Sequence, residues 1–242
     1  MNTPWHNPTA ADPATKTVRR MLITAGPTHE PIDAVRYIAN RSSGRLGIAL
    51  ADEAAARGWS VTLLLGPTSL TPKDSRVEVV RFRTTADLEG MLQGRFGGCD
   101  VLVMAAAVAD YRPKAGAAGA GVAGKISRKE GGLTLELEST PDLLGACGAS
   151  RRAGQVLVGF ALEPAARLLA SAAAKLKRKG VDLIVANPLE TMDAPEVDAT
   201  VIGAGGVVAK TDGKMTKERF AGWLLDVIDG FARTRGSAGG GQ

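Results

Sequence analysis

The chain has 242 residues, 45% of them apolar and 23% charged, with 30 basic against 25 acidic side chains and a formal charge of +5. That length allows one large α/β domain with a sizeable core, and two cysteines, Cys99 and Cys147, are too few for a disulfide framework. Two histidines, His6 and His29, argue against a histidine-built zinc site, and no apolar run reaches the roughly 18–20 residues that span a bilayer.

Residues 1–20 are rich in Pro, Thr, Ala and Asn and lack the apolar centre of a signal peptide. They are expected to be a disordered tail, as are residues 236–242, and the protein is expected in the cytoplasm. Met21–Ala25 is a short apolar run closed by Gly26-Pro27, the mark of a buried strand. A long polar loop follows. A helix is expected from about Ser43, with Leu46, Ile48, Leu50 and Ala54 as apolar members and Arg57-Gly58 as its end. Val61–Leu65 and Val77–Phe82 are the next strands, then a Thr-capped helix over Thr85–Leu92. Val101–Ala105 is the fourth strand. Ala115–Gly124 is almost all Ala and Gly and is expected to be mobile. Leu133–Leu137 alternates like an edge strand. Val156–Ala161 and Val181–Ala186 are buried strands around a helix over Pro164–Lys179, whose last turn carries three cations. A hairpin is expected at Ala199–Ile202 and Val207–Val208, and a final helix over Lys217–Ala232. Alternating strands and helices point to an α/β, doubly wound, mostly parallel sheet with helices on both faces and an antiparallel hairpin extension.

Open α/β sheets bind ligands beyond the carboxyl ends of their strands. The loop after the first strand is about eighteen residues long, against the usual roughly 2–6. It carries Thr28, Glu30, Asp33, Arg36, Asn40, Arg41 and Ser42-Ser43-Gly44. Hydroxyls and free amides at a helix start suit an anion, although a capping serine in a polar loop would look the same at Ser43 alone. The G-x-G-x-x-G spacing, an acidic end to the second strand and the P-loop pattern are all absent, which argues against NAD and against a P-loop. Asp110 after the fourth strand can hold a sugar hydroxyl or a metal beside phosphates, or simply form a turn. Lys125 follows the Ala/Gly stretch, and Lys175 and Lys179 share one helix face.

Several long motifs in order resemble phosphopantothenoylcysteine synthetase: ITAGPTHEPIDAVRYIANRSSGRLG (Ile23–Gly47), AAAVADY (Ala105–Tyr111), Lys125-Ile126, TPDLL (Thr140–Leu144), GFALE (Gly159–Glu163), and the Lys175/Lys179 pair followed by DLIVAN (Asp182–Asn187). The resemblance runs from Met21 to about Ile228. It implies a Rossmann-like fold and a ligase joining 4′-phosphopantothenate to L-cysteine with CTP and Mg²⁺, through an acyl-cytidylate. It also implies a homodimer. It places Gly26, Ser43, Met104, Ala105, Ala106, Asp110, Lys125, Thr140, Pro141, Asp142, Leu143, Phe160, Lys175 and Lys179 at the nucleotide. Asn40, Arg36 and Ala107 are placed at the acyl substrate, with Asn40, Arg36 and Lys125 in catalysis and Asp110 as the metal ligand. Many bacterial relatives carry a flavin-dependent decarboxylase domain ahead of this one. With only about twenty residues before the first strand, no flavin is expected here and the decarboxylase is expected on a separate chain. No nucleic-acid or membrane partner is expected.

Overall fold

A computed structural model describes residues 18–114, 124–127, 132–191 and 194–238. The tail over 1–17, most of the Ala/Gly stretch, Arg128-Lys129 and the last four residues lie outside these ranges.

Eight strands build the main sheet: β1 (Arg20–Ala25), β2 (Ser60–Leu65), β3 (Glu78–Arg81), β4 (Val101–Met104), β5 (Val156–Glu163), β6 (Leu183–Pro188), β7 (Thr200–Gly203) and β8 (Gly206–Lys210). Their spatial order is β8-β7-β6-β5-β4-β1-β2-β3. The six from β6 to β3 are parallel, and β7 and β8 add antiparallel. The parallel part therefore has the doubly wound order 3-2-1-4-5-6, with its switch between β1 and β4.

Parallel strands buried on both faces need apolar residues at every position, and β1, β4 and β6 supply them in Leu22-Ile23, Val101–Met104 and Leu183–Ala186. One face is covered by α1 (Arg45–Ala56) and α5 (Lys217–Ala238), through Ile48, Leu50, Phe220, Leu224 and Ile228. The other is covered by α2 (Thr85–Arg95), α3 (Leu143–Ser150) and α4 (Leu168–Lys179), through Leu88, Leu92, Leu144, Cys147 and Ala172. Both cysteines are unbridged packing thiols, each pushed up to about 11 by burial.

Several local expectations are corrected. The helix expected from Pro164 begins at Leu168: Pro164 is extended, and a 3₁₀ turn over Ala165–Arg167 comes first. The strand expected over Leu133–Leu137 lies at Leu137–Ser139, because its partner is the short Tyr111–Pro113 segment. α3 was hidden in the TPDLL motif, whose Asp142 accepts from Gly145 N and caps it. The long loop after β1 is partly ordered as a two-stranded ribbon, Glu30–Pro31 with Tyr37–Ile38. The capping position of α1 belongs to Gly44, at φ +73°, and not to Ser43.

Candidate functional site

The switch point opens into a cavity of about 860 Å³. Three walls meet there. The first is the loop Ala39–Ser43 and the start of α1. The second is the strand-end loop Met104–Asp110. The third comprises Thr140–Leu144, Phe160–Glu163 and the α4 lysines.

The second wall is built mainly of alanine and valine, so its backbone is what it presents. The β1–β4 ladder continues past both strands. Thr28 N donates to Ala107 O at 3.2 Å, Ala107 N to Gly26 O at 2.9 Å, and Ala106 N to the Thr24 hydroxyl at 3.1 Å. The loop is tied on its far side by Thr140, whose hydroxyl donates to Ala109 O at 2.6 Å. Asn40 joins the first wall to the second, its Nδ2 donating to Val108 O at 2.9 Å.

The start of α1 is the anion-favouring end. Gly44 turns the chain with a positive φ that any Cβ would strain, and a Cβ there would also stand 3.3 Å from Gly26 N. The first turn of a twelve-residue helix, Arg45–Gly47, then lines the cavity, with Arg45 N donating to Ser43 Oγ at 3.4 Å. The start of α3 is already occupied by the Asp142 carboxylate, which also pairs with Lys179.

Lys175 and Lys179 reach the cavity one turn apart on α4. Lys175 Nζ donates to Phe160 O at 2.6 Å, which leaves two of its three protons for another acceptor. Burial, then Lys179 and Arg178, hold its ammonium below the usual lysine range. An arriving polyanion would reverse that penalty.

The sequence reading missed Asn187. It is the penultimate residue of β6, is 8% exposed, and lines the cavity. Its Oδ1 has no hydrogen-bond partner, alone among the buried side-chain atoms of the described residues. A buried acceptor left unpaired costs about 1–3 kcal/mol, so a ligand donor would satisfy it. The DLIVAN motif contained it, but nothing in its sequence pattern separates an inward amide from a strand-end turn residue.

Of the expected site residues, Asn40, Ser43, Met104, Ala105, Ala106, Ala107, Asp110, Thr140, Pro141, Asp142, Leu143, Phe160, Lys175 and Lys179 come together on the cavity wall. Gly26, Arg36 and Lys125 do not. Gly26 is a crossing point, its Cβ position 3.3 Å from Gly66. Arg36 is turned to the buried Asp33 through Nε at 2.9 Å and also donates to Ile126 O at 2.9 Å. Ile126 N closes the clasp on Asp33 at 3.1 Å. Lys125 is exposed beside it.

The clasp makes a pH prediction. Hydrogen bonds from Arg36, then from the Val35, Ile126 and Arg36 amides, hold the Asp33 carboxyl far below its usual 3.8. A depressed carboxylate contributes stability above its unfolded value and loses it as pH falls toward the folded one. The stability gap between the protein and Asp33→Asn should therefore be flat above about pH 5 and shrink below 3.8. Acid-denaturation curves check this, and a gap unchanged down to about pH 2 would contradict it.

Residues 17–231 match the family described as DNA/pantothenate metabolism flavoprotein C-terminal domain. The chain is similar to a cysteine/cysteine sulfinic acid decarboxylase of an unknown prokaryotic organism, 45% identical over 172 residues, 71% of this chain and 46% of that protein. It is also similar to the coenzyme A biosynthesis bifunctional protein CoaBC of Mycobacterium bovis, 43% identical over 190 residues, 75% of this chain and 44% of that one. The chain thus spans less than half the length of either relative. The crystal structure of a CoaBC C-terminal domain superposes with a TM-score of 0.73 at 32% identity, covering 89% of this chain and 96% of that one. The chain belongs to the DNA/pantothenate metabolism flavoprotein C-terminal domain family.

Proposed function

We propose that this chain is a phosphopantothenate–cysteine ligase that activates its acid substrate with CTP. The observation that carries the reading is the pairing, in one cavity, of an anion end and an amide. Lys175, Lys179 and the α1 N-terminus suit phosphates. Asn40 lines the same cavity, on the wall that holds the α1 N-terminus and apart from the α4 lysines. The family and the CoaBC relative's name support the substrate class.

In this reaction the carboxylate of 4′-phosphopantothenate attacks the α-phosphorus of CTP, and pyrophosphate leaves with the P–O bond electrons. The cysteine amine then attacks the acyl carbon, loses a proton, and CMP departs. Charge grows on phosphate oxygens in the first half, where two ammonium groups and oriented amides need no reorganisation to meet it. The Asn40 amide can hydrogen-bond an acyl-phosphate oxygen without adding charge, which leaves the acyl carbon electrophilic. Its bond to Val108 O fixes the amide plane. Asn187 Oδ1 is suited to an N–H or O–H donor of the nucleotide.

Mg²⁺ suits this wall in one form only. Among the described residues no three His, Cys, Asp or Glu side chains cluster. Asp142 is taken by Lys179, and Glu163 accepts from Ser171 Oγ at 2.9 Å. Asp110 remains, and one carboxylate is what a magnesium carried in on phosphates uses. There it would screen triphosphate charge.

Phosphopantothenate, cysteine, CTP and Mg²⁺ together should yield CMP and pyrophosphate in equal amounts, with each substrate required. No CMP from that mixture sinks the reading. Running ATP, UTP and GTP in parallel decides the base, and ATP as the faster substrate would correct the nucleotide while leaving the ligase.

A further inference from the structure

A buried polar chain lies behind the alanine wall. Thr28 and Thr85 are fully buried and Glu30 is 2% exposed. Ala109 N donates to Thr28 Oγ1 at 2.9 Å. The two threonine hydroxyl oxygens stand 3.4 Å apart. Thr85 donates to Glu30 Oε1 twice, from its hydroxyl at 2.7 Å and its amide at 2.8 Å.

Each hydroxyl has one proton, and an ionised carboxylate only accepts. The Thr85 proton goes to Glu30, the shorter contact. Thr85 Oγ1 then offers a lone pair to Thr28, so the Thr28 proton points that way. The Thr28 lone pairs are thereby turned to the Ala109 amide. One charge at the end of the chain sets the direction of every bond in it. The N-terminus of α2, where Thr85 sits, favours that negative charge.

None of the three residues lines the cavity, whereas Ala109 and its neighbours do. Apolar side chains of similar volume would fill this space at no cost in desolvated charge. A carboxylate placed here does something that apolar packing cannot: it holds a backbone amide in one orientation. We propose that Glu30, acting through Thr85 and Thr28, is a positioning residue that fixes the Ala105–Asp110 wall against which the nucleotide of the proposed ligase reaction rests. The inference relies on that reading for its kinetic consequence only.

Glu30→Gln keeps the shape but can donate to Thr85 Oγ1 and reverse the chain. Thr28→Val removes the acceptor of the Ala109 amide, while Thr28→Ser restores it. Glu30→Gln and Thr28→Val should raise the KM for CTP about tenfold with a smaller change in kcat, and Thr28→Ser should return it to near the starting value. Amide hydrogen exchange of the Ala105–Asp110 peptide, measured without substrates, should quicken in the first two and not in the third. Phe220→Leu, in the α5 core away from the wall, serves as a control matched for lost stability. If Glu30→Gln and Thr28→Val lower Tm as Phe220→Leu does while KM and wall exchange stay unchanged, the chain is only core and the inference falls. Should Thr28→Val fail to fold, Glu30→Gln decides alone. Exchange does not require turnover, so a chain with no ligase activity would overturn the functional reading and leave the wall result standing.

Discussion

Asn40→Asp is expected to slow ligation about 100-fold or more, the size of losing one oriented donor at a reacting oxygen. Two physical effects add. The substitution puts a carboxylate oxygen where Nδ2 now donates to Val108 O at 2.9 Å, so an attraction between the two walls becomes a repulsion. It also sets a negative charge beside an acyl phosphate that an amine must attack. In the proposed reaction the first half would be governed by the cations on α4, in another wall. Cytidylate formation, read as a burst of pyrophosphate, should therefore suffer less than release of CMP by cysteine. Equal loss in both halves would refute the role given to Asn40. Loss of stability is not the cause expected, because Asn40 is exposed and surface changes are usually within about 0.5 kcal/mol.

Gly148→Ala is expected to destabilise the fold by about 3 kcal/mol, at the upper end of overpacking costs. α3 crosses the C-terminus of α4 so closely that a Cβ on Gly148 would stand 1.9 Å from the carbonyl oxygen of Lys179. A backbone oxygen cannot rotate away, so one helix must move. For a chain of this size the loss corresponds to a fall in Tm of roughly 6–12 °C. The displaced residue carries one of the two α4 ammonium groups at the cavity, and its partner Asp142 caps the helix that pushes it. Nucleotide affinity should fall with stability. Gly90→Ala in α2 is the contrast: it is exposed, with nothing within 4 Å of its Cβ. It should leave stability unchanged or raised, by up to about 1 kcal/mol. Thermal melts and nucleotide titration of both variants check the pair.

Much of this architecture was legible in the residues. Apolar runs such as Met21–Ala25 and Val156–Ala161 are short, which reads as strands buried on both faces, and the period of Phe220, Leu224 and Ile228 fixes the buried side of α5. What failed depended on partners distant in sequence or on weak local propensity. Leu133–Leu137 alternates correctly, yet ladder pairing is set by Tyr111–Pro113, which reaches only Leu137–Ser139. α3 is short, and its Gly145 and Gly148 are poor helix formers, so propensity concealed it. The site divides in the same way. Lysines and the serine-glycine turn advertise an anion. By contrast, Arg36 looks like a cavity cation and is bound to Asp33 instead, a choice made by the fold of the ribbon. Asn187 became visible only once its unpaired oxygen did.

The strand order also has a kinetic side. β1 pairs with β2 within a short stretch of chain, but its other edge waits for β4, Met21 against Val101, and β4 in turn waits for β5, Val101 against Val156. Loop-closure entropy must be met before such distant pairings repay it. Two of the three cavity walls are drawn from these late pairings, and the α4 lysines come later still. The cavity is thus complete only when the most distant pairings have formed. A chain halted before Lys179 can hold β1 and β2 together, but it has no complete surface for a nucleotide to find.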